Sequence, residues 1–180
     1  MSLLIIPIGF SGSGKTTYYN FIKPIYKNLY YISKDLLRLK LSKIKNPQKA
    51  ISDQNNNKTV AFIANKMLWN ALKNKFSHIY YDCMNINTYY IQNILRNFNN
   101  VNIKIILFMD SLNPELRKSR IERDLKNGKI RADTLNIINN DEIEQFKNTY
   151  NQVMKLLKYK NVKIYERRKI KNKYKNIRIK

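Results

Sequence analysis

Residues 9–17 read GFSGSGKTT, and Gly9 to Thr16 match the spacing G-x-x-x-x-G-K-[ST]. Each position has a physical role in holding phosphate. Gly12 and Gly14 let backbone N–H groups wrap an anion with no side chain in the way, and Ser13 sits between them. The N-terminus of a following helix adds partial positive charge. Lys15 brings an ammonium to the β- and γ-phosphates of a nucleotide, and Thr16 offers a hydroxyl to Mg²⁺. Thr17 completes the set expected to bind ATP. Three of the four glycines in the chain fall here, which makes a chance match a poor explanation. No N-K-x-D follows to read guanine, and no strand ends in the Asp-Glu pair of a motor. Both absences favour transfer of a phosphoryl group to a bound acceptor.

Such a transfer needs a carboxylate beside the attacking hydroxyl. Three aspartates fall at expected strand ends: Asp35, Asp82 and Asp110. Asp35 lies in SKDLLR, with Lys34 before it and Arg38 three residues on, on the same helix face. It reads as the general base, or as an acid in the first turn of a helix with ordinary i,i+3 pairing. Lys34 and Arg38 are suited to an acceptor phosphate. Asp82 either holds Mg²⁺ through water, fixes acceptor groups, or caps the next loop. Asp110 reads as structural. Arg117, Arg120 and Arg123 recur every third residue and form a slanting ridge on one helix. Lys126, Lys129 and Arg131 follow around Gly128, a hinge or helix end. Arg120 and Arg123 are expected to neutralise charge on the transferring group, and Lys126 to touch ATP. The plainer alternative is a solvated face paired with Glu122 and Asp124.

The elements needed to position these groups alternate between strand and helix, the pattern of a parallel α/β sheet. Strands are expected at 3–8, 29–32, 78–82, 103–110 and 162–165. Helices are expected at 15–22, from 34 onward with Ser33 as N-cap, at 58–76, 88–98, 114–127 and 141–158. Asn113 and Pro114 form a cap and first-turn pair for the helix carrying the arginines. Residues 43–57 are polar and read as a loop. The fold expected is α/β, a P-loop NTPase three-layer sandwich with a mostly parallel sheet of about five strands and a helical lid at about 113–133. One domain spans 1–165, and a basic tail follows at 166–180.

The chain has 180 residues, with 35 Lys or Arg against 12 Asp or Glu, a net charge of +23. Such an excess favours a polyanionic partner. Residues 160–180 hold ten of the cations and one acid, Glu166, so the excess is not confined to the tail. That tail reads as a solvated end, an edge strand, or a nucleic-acid arm on which Tyr174 stacks with a base. No apolar run approaches the roughly 20 residues that span a bilayer, so no membrane association is expected. The N-terminal LLIIPI reads as a buried strand and not as a signal peptide. A single cysteine, Cys83, excludes an intramolecular disulfide, and a reducing, cytoplasmic location is expected.

With these residues in place, the chain resembles the 5′-hydroxyl polynucleotide kinase family, most closely its phage-type kinase domain. IGFSGSGKTT is similar to that family's phosphate loop. YYISKDLLR resembles the segment bearing its general base, which implies Asp35 as base, Lys34 as the basic neighbour and Arg38 on the acceptor phosphate. YYDCMNIN resembles the strand that ends in its acceptor-side Asp, implying that role for Asp82. RIERDLKNG is similar to its arginine-bearing lid. Cys83 departs from the hydroxyl residue common there, and Arg120 and Arg123 are three apart where the family's pair is four apart. The resemblance implies transfer of the ATP γ-phosphate to a 5′-OH end of DNA or RNA. Two alternatives stand beside it: a small-molecule kinase for a nucleoside, nucleotide or metabolite, and a nucleic-acid-binding module with a regulatory P-loop.

Overall fold

The computed structural model describes residues 1–52, 55–83, 87–130, 140–171 and 173–179. Its centre is β1 (Ser2–Ile8), whose side chains are buried on both faces, as a continuous apolar run in a parallel sheet requires. The other strands are β2 (Leu29–Ser33), β3 (His78–Asp82), β4 (Val101–Phe108), β5 (Val162–Ile170) and β6 (Lys173–Arg178). They form one sheet in the order β2-β3-β1-β4-β5-β6. The first five run parallel, and β6 pairs antiparallel with β5. The chain thus departs from β1 to one side and returns to the other. That leaves a crevice at the carboxyl ends of β1 and β3, where ligands of open α/β sheets bind.

Among the described residues the helices are α1 (Lys15–Ile22), α2 (Lys34–Leu41), α3 (Pro47–Ser52), α4 (Asn57–Lys73), α5 (Tyr89–Asn97), α6 (Pro114–Lys126) and α7 (Asn140–Met154). One face of the sheet carries the larger core. There Leu4, Ile6, Ile8, Ile103, Ile105 and Ile164 pack with Ala64 and Leu68 of α4, Ile91 of α5 and Val153 of α7. The opposite face carries a smaller cluster of Ile5, Tyr80, Ile106 and Phe108 against Tyr18 and Ile22 of α1. Of the apolar residues at helical spacing on α4, Val60, Ala64, Leu68, Ala71 and Leu72 are buried, and Ile63 and Met67 are half-buried.

Three expectations need correction. Residues 47–52 form α3 and not a loop, because Ala50 and Ile51 find buried positions. Strand 4 ends at Phe108, and Met109–Leu112 turn as a 3-10 helix. Strand 5 does not stop at Tyr165 but continues to Ile170. Among the readings left open for the tail, the edge strand is the one observed: β6 adds a sixth strand. Residues 131–133 of the expected lid, with Arg131, lie outside the described residues.

Candidate active site

The phosphate loop is the turn from β1 into α1. Gly12 and Gly14 hold φ values of 76° and 99°, a left-handed region in which a side chain is strained. Gly12 also has a steric reason: a Cβ there would sit 2.8 Å from the carbonyl oxygen of Arg117. The Lys15 ammonium donates to the carbonyls of Gly9 (2.7 Å) and Phe10 (3.0 Å), so its head lies over the loop. Burial pulls its pKa below the ordinary lysine value, against the opposing pull of Asp82 and Asp35. Tyr80 donates to the Lys15 carbonyl (3.0 Å), tying β3 to the first turn of α1. The hydroxyl of Ser13 is buried with no hydrogen-bond partner among the described residues.

A cleft of about 880 Å³ opens above this loop. Its floor comprises Gly12, Ser13, Gly14, Lys15, Thr16 and Thr17, the last two exposed. One wall is the start of α2, with Lys34, Asp35 and Arg38. Ser33 caps that helix by accepting from the Leu36 N–H (3.4 Å), so β2 passes directly into the turn that carries Asp35. Arg38 bonds Asp35 at 2.6 Å, and its Nε and second terminal nitrogen donate to Asn57 Oδ1 on α4 at 3.0 and 2.9 Å. The guanidinium is thus oriented from behind, while the Asp35 side chain stays 57% exposed to the cleft. Asp82, at the end of β3, accepts from the Tyr31 hydroxyl at 2.5 Å. Burial and this carboxylate together raise the Tyr31 pKa far above the ordinary tyrosine value, so Tyr31 remains a donor. Next to Asp82, burial pushes the Cys83 thiol up to about 12. Met84, Asn85 and Ile86 of the YYDCMNIN segment lie outside the described residues.

The arginine ridge of α6 divides by function. Arg117 was expected on the lid surface but is fully buried. Its Nε donates to the Ser11 carbonyl (2.9 Å), its guanidinium pairs with Glu142 of α7 (2.8 Å), and it lies over the Phe10 ring at 5.1 Å. It braces the phosphate loop from beneath because α7 presents a carboxylate there. Arg120 reaches the loop from above: it donates to the Gly12 carbonyl (3.1 Å) and pairs with Asp110 (2.8 Å). Arg123 lines the cleft and is exposed, whereas Lys126 is exposed at the end of α6 and lies outside the cleft lining. Gly128 is a helix end: φ is 70°, its N–H returns to the Leu125 carbonyl, and Lys129 bonds the buried Asp124.

The sequence reading missed the wall contributed by β5 and β6. Arg167 lies over the rings of Tyr18 (4.7 Å) and Tyr174 (5.2 Å) and donates to Asn176. Tyr174 donates to Asp110 (2.8 Å) and accepts from Arg120. Both Arg167 and Tyr174 line the cleft, so this tyrosine belongs to a folded wall and not to a free arm. The period-two spacing of Tyr174, Asn176 and Arg178 was the available signal.

The donors present suit a nucleoside triphosphate: two left-handed glycines, an ammonium and a helix N-terminus converge on one point. They suit Mg²⁺ in its usual mode as well. That ion takes few protein ligands and several phosphate and water oxygens, and Thr16 supplies a hydroxyl at the floor. Among the described residues no group of three or more His, Cys, Asp or Glu forms a cage that would hold a metal without the nucleotide. No described helix is long and apolar enough to cross a membrane.

No protein-family model and no curated protein matches the sequence. Similarity of shape is clear. A chain of the Pnkp1/Rnl/Hen1 RNA repair complex superposes with a TM-score of 0.60 and 19% identity over 84% of this chain. This chain spans 46% of that one. A chain from the PezAT chromosomal toxin-antitoxin system of Streptococcus pneumoniae gives a TM-score of 0.61 and 17% identity, covering 92% of this chain and 67% of its own. With the loop, the strand order and these similarities of shape together, the chain has the α/β fold of the P-loop NTPases.

Proposed function

We propose that this protein is a polynucleotide 5′-hydroxyl kinase, moving the γ-phosphate of ATP to the 5′-OH end of DNA or RNA. The observation that carries the reading is the Asp35–Arg38 pair, held at 2.6 Å on the wall facing the phosphate loop. In this reading Lys15 and the loop N–H groups hold the β- and γ-phosphates. Thr16 helps to hold Mg²⁺, which when bound offsets phosphate charge. Asp35 takes the proton of the attacking hydroxyl as its oxygen bonds to the γ-phosphorus and the bond to the departing ADP breaks. Arg38, with Lys34 beside it, holds the first phosphate of the acceptor strand. Asp82, fixed by Tyr31, orients acceptor groups. Arg120 and Arg123 spread the charge of the transferring group, and a Lys126 contact to the nucleotide requires the end of α6 to move inward from its place outside the cleft.

The charge of +23 supports a polymer over a small acceptor, as does the shape shared with a chain of an RNA repair complex. A panel of 5′-OH oligonucleotides, nucleosides and nucleoside monophosphates with γ-labelled ATP tests the choice. The reading expects labelled oligonucleotides, with a KM that rises steeply with salt. Preference for a nucleoside or mononucleotide at every salt concentration would replace it with the small-molecule alternative.

A further inference from the structure

The α1-side face of the sheet extends beyond the part that Arg167 and Tyr174 give to the cleft. Side chains on β4, β5 and β6 alternate between two faces. Toward α7 they are Ile103, Ile105, Val162, Ile164 and Glu166, all buried. Toward α1 the corresponding set includes Lys104, Lys163, Tyr165 and Arg178. The only described helix packed on that face is the eight-residue α1, whose buried Tyr18 and Ile22 meet Ile5, Tyr80, Ile106 and Phe108. Beyond it the face is open: Lys163 and Arg178 are exposed, and Lys104 and Tyr165 are half-buried.

The register brings these groups together. Lys104 lies directly beside Lys163, and Tyr165 directly beside Arg178. The Lys104 ammonium sits over the Tyr165 ring at 5.1 Å. Like charges placed opposite each other on neighbouring strands destabilise a sheet. Among the described residues around them, α1, β1, β4 and β6 contain no Asp or Glu that could relieve them. Glu166 of β5 points to the other face, where Tyr150 donates to it and Arg168 pairs with it. Asp110, at the top of this face, is occupied by Arg120 and Tyr174. Phe21 on α1, 63% exposed beside Tyr18, adds a second ring at the margin. Cations with interleaved aromatic rings on a sheet suit a single strand of nucleic acid, with phosphates on the cations and bases on the rings.

We propose that the α1-side face of β4–β5–β6 is a binding platform for single-stranded nucleic acid, with Lys104, Lys163 and Arg178 contacting phosphates and Tyr165 and Phe21 meeting bases. It is separate from the acceptor wall, which lies across the sheet on α2, and it does not depend on the reading of that wall. Its role is to retain a strand near the cleft whatever the chemistry of the strand's end.

The test uses a fluorescent single-stranded oligonucleotide bearing a 5′-phosphate, which no 5′-hydroxyl kinase can use as acceptor. Anisotropy titrations over a salt series compare the full chain with Lys163→Glu/Arg178→Glu, with the milder Lys163→Gln/Arg178→Gln, and with Lys147→Gln/Lys155→Gln, a control at two exposed lysines on and just beyond α7. Removing two phosphate contacts should lower the slope of log K against log salt by about 1.4, at about 0.7 per contact. At low salt the Kd of either platform variant should rise about tenfold or more, with thermal melting unchanged, while the α7-side control stays within about twofold. Unchanged binding in both platform variants overturns the proposal, as does an equal loss in the α7-side control. Equal affinity for anionic lipid vesicles, or for an acidic peptide of matched charge, overturns it as well. Failure of phosphoryl transfer to a 5′-OH acceptor would leave this result untouched.

Discussion

Replacing Arg117 with Met separates a brace from a catalytic arginine. The side chain is fully buried, holds the Ser11 carbonyl at 2.9 Å, and pairs with Glu142 at 2.8 Å. Breaking one side of a buried ion pair costs roughly 3–5 kcal/mol. Glu142 retains 14% of its side-chain exposure, so water recovers part of its charge and the lower end applies, about 3 kcal/mol. For a domain of this size about 2–4 °C of melting temperature accompanies each kcal/mol, giving a fall of roughly 6–12 °C. Circular-dichroism melts of Arg117→Met, Glu142→Gln and the double variant form a cycle. The double variant should be clearly more stable than the sum of the single losses implies, with a coupling on the order of 1–3 kcal/mol. A single variant melting within about 1 °C of the parent, or strictly additive losses, would refute the brace.

Further predictions concern the loop, the end of α6 and the buried Cys83. Gly12→Ala should lower ATP affinity by about tenfold or more, because the new methyl meets the Arg117 carbonyl as well as a left-handed φ. Gly128→Ala has the same φ cost of roughly 1–2 kcal/mol with nothing within 4 Å, and should lower melting temperature without changing nucleotide affinity. The Cys83 thiol, at about 12, should resist alkylation by iodoacetamide at pH 8 and react on unfolding; fast labelling of the native chain would contradict its burial. Lys15 is deprotonated at lower pH than an ordinary lysine, so ATP affinity should fall as pH rises, beginning below the usual lysine range. Calorimetric titrations should show that fall, and Lys15→Met should abolish it.

What the sequence revealed follows from how local each signal is. The phosphate loop is nine consecutive residues with a strand before and a helix after, so its geometry is written in one stretch. Asp35 and Arg38 were legible because a cap, an acid and a cation fall within one helical turn. Arg117, Arg120 and Arg123 share a period, and a period does not reveal which of them meets Glu142 of the next helix. The short α3 escaped notice because six residues carry little periodicity and only Ala50 and Ile51 are buried. Arg167 and Tyr174 joined the cleft through sheet pairing at the far edge, a long-range contact that composition read only as a basic tail.

The central claim rests on the transfer itself. Single-turnover reactions with γ-labelled ATP, Mg²⁺ and a 5′-OH oligonucleotide should place the label on the 5′ end. An oligonucleotide already carrying a 5′-phosphate should remain unlabelled. Asp35→Asn, which keeps the shape and removes the base, should slow the step by about 10²–10⁴ while leaving ATP affinity unchanged. Label on no oligonucleotide, or an Asp35→Asn rate equal to the parent's, would contradict the account.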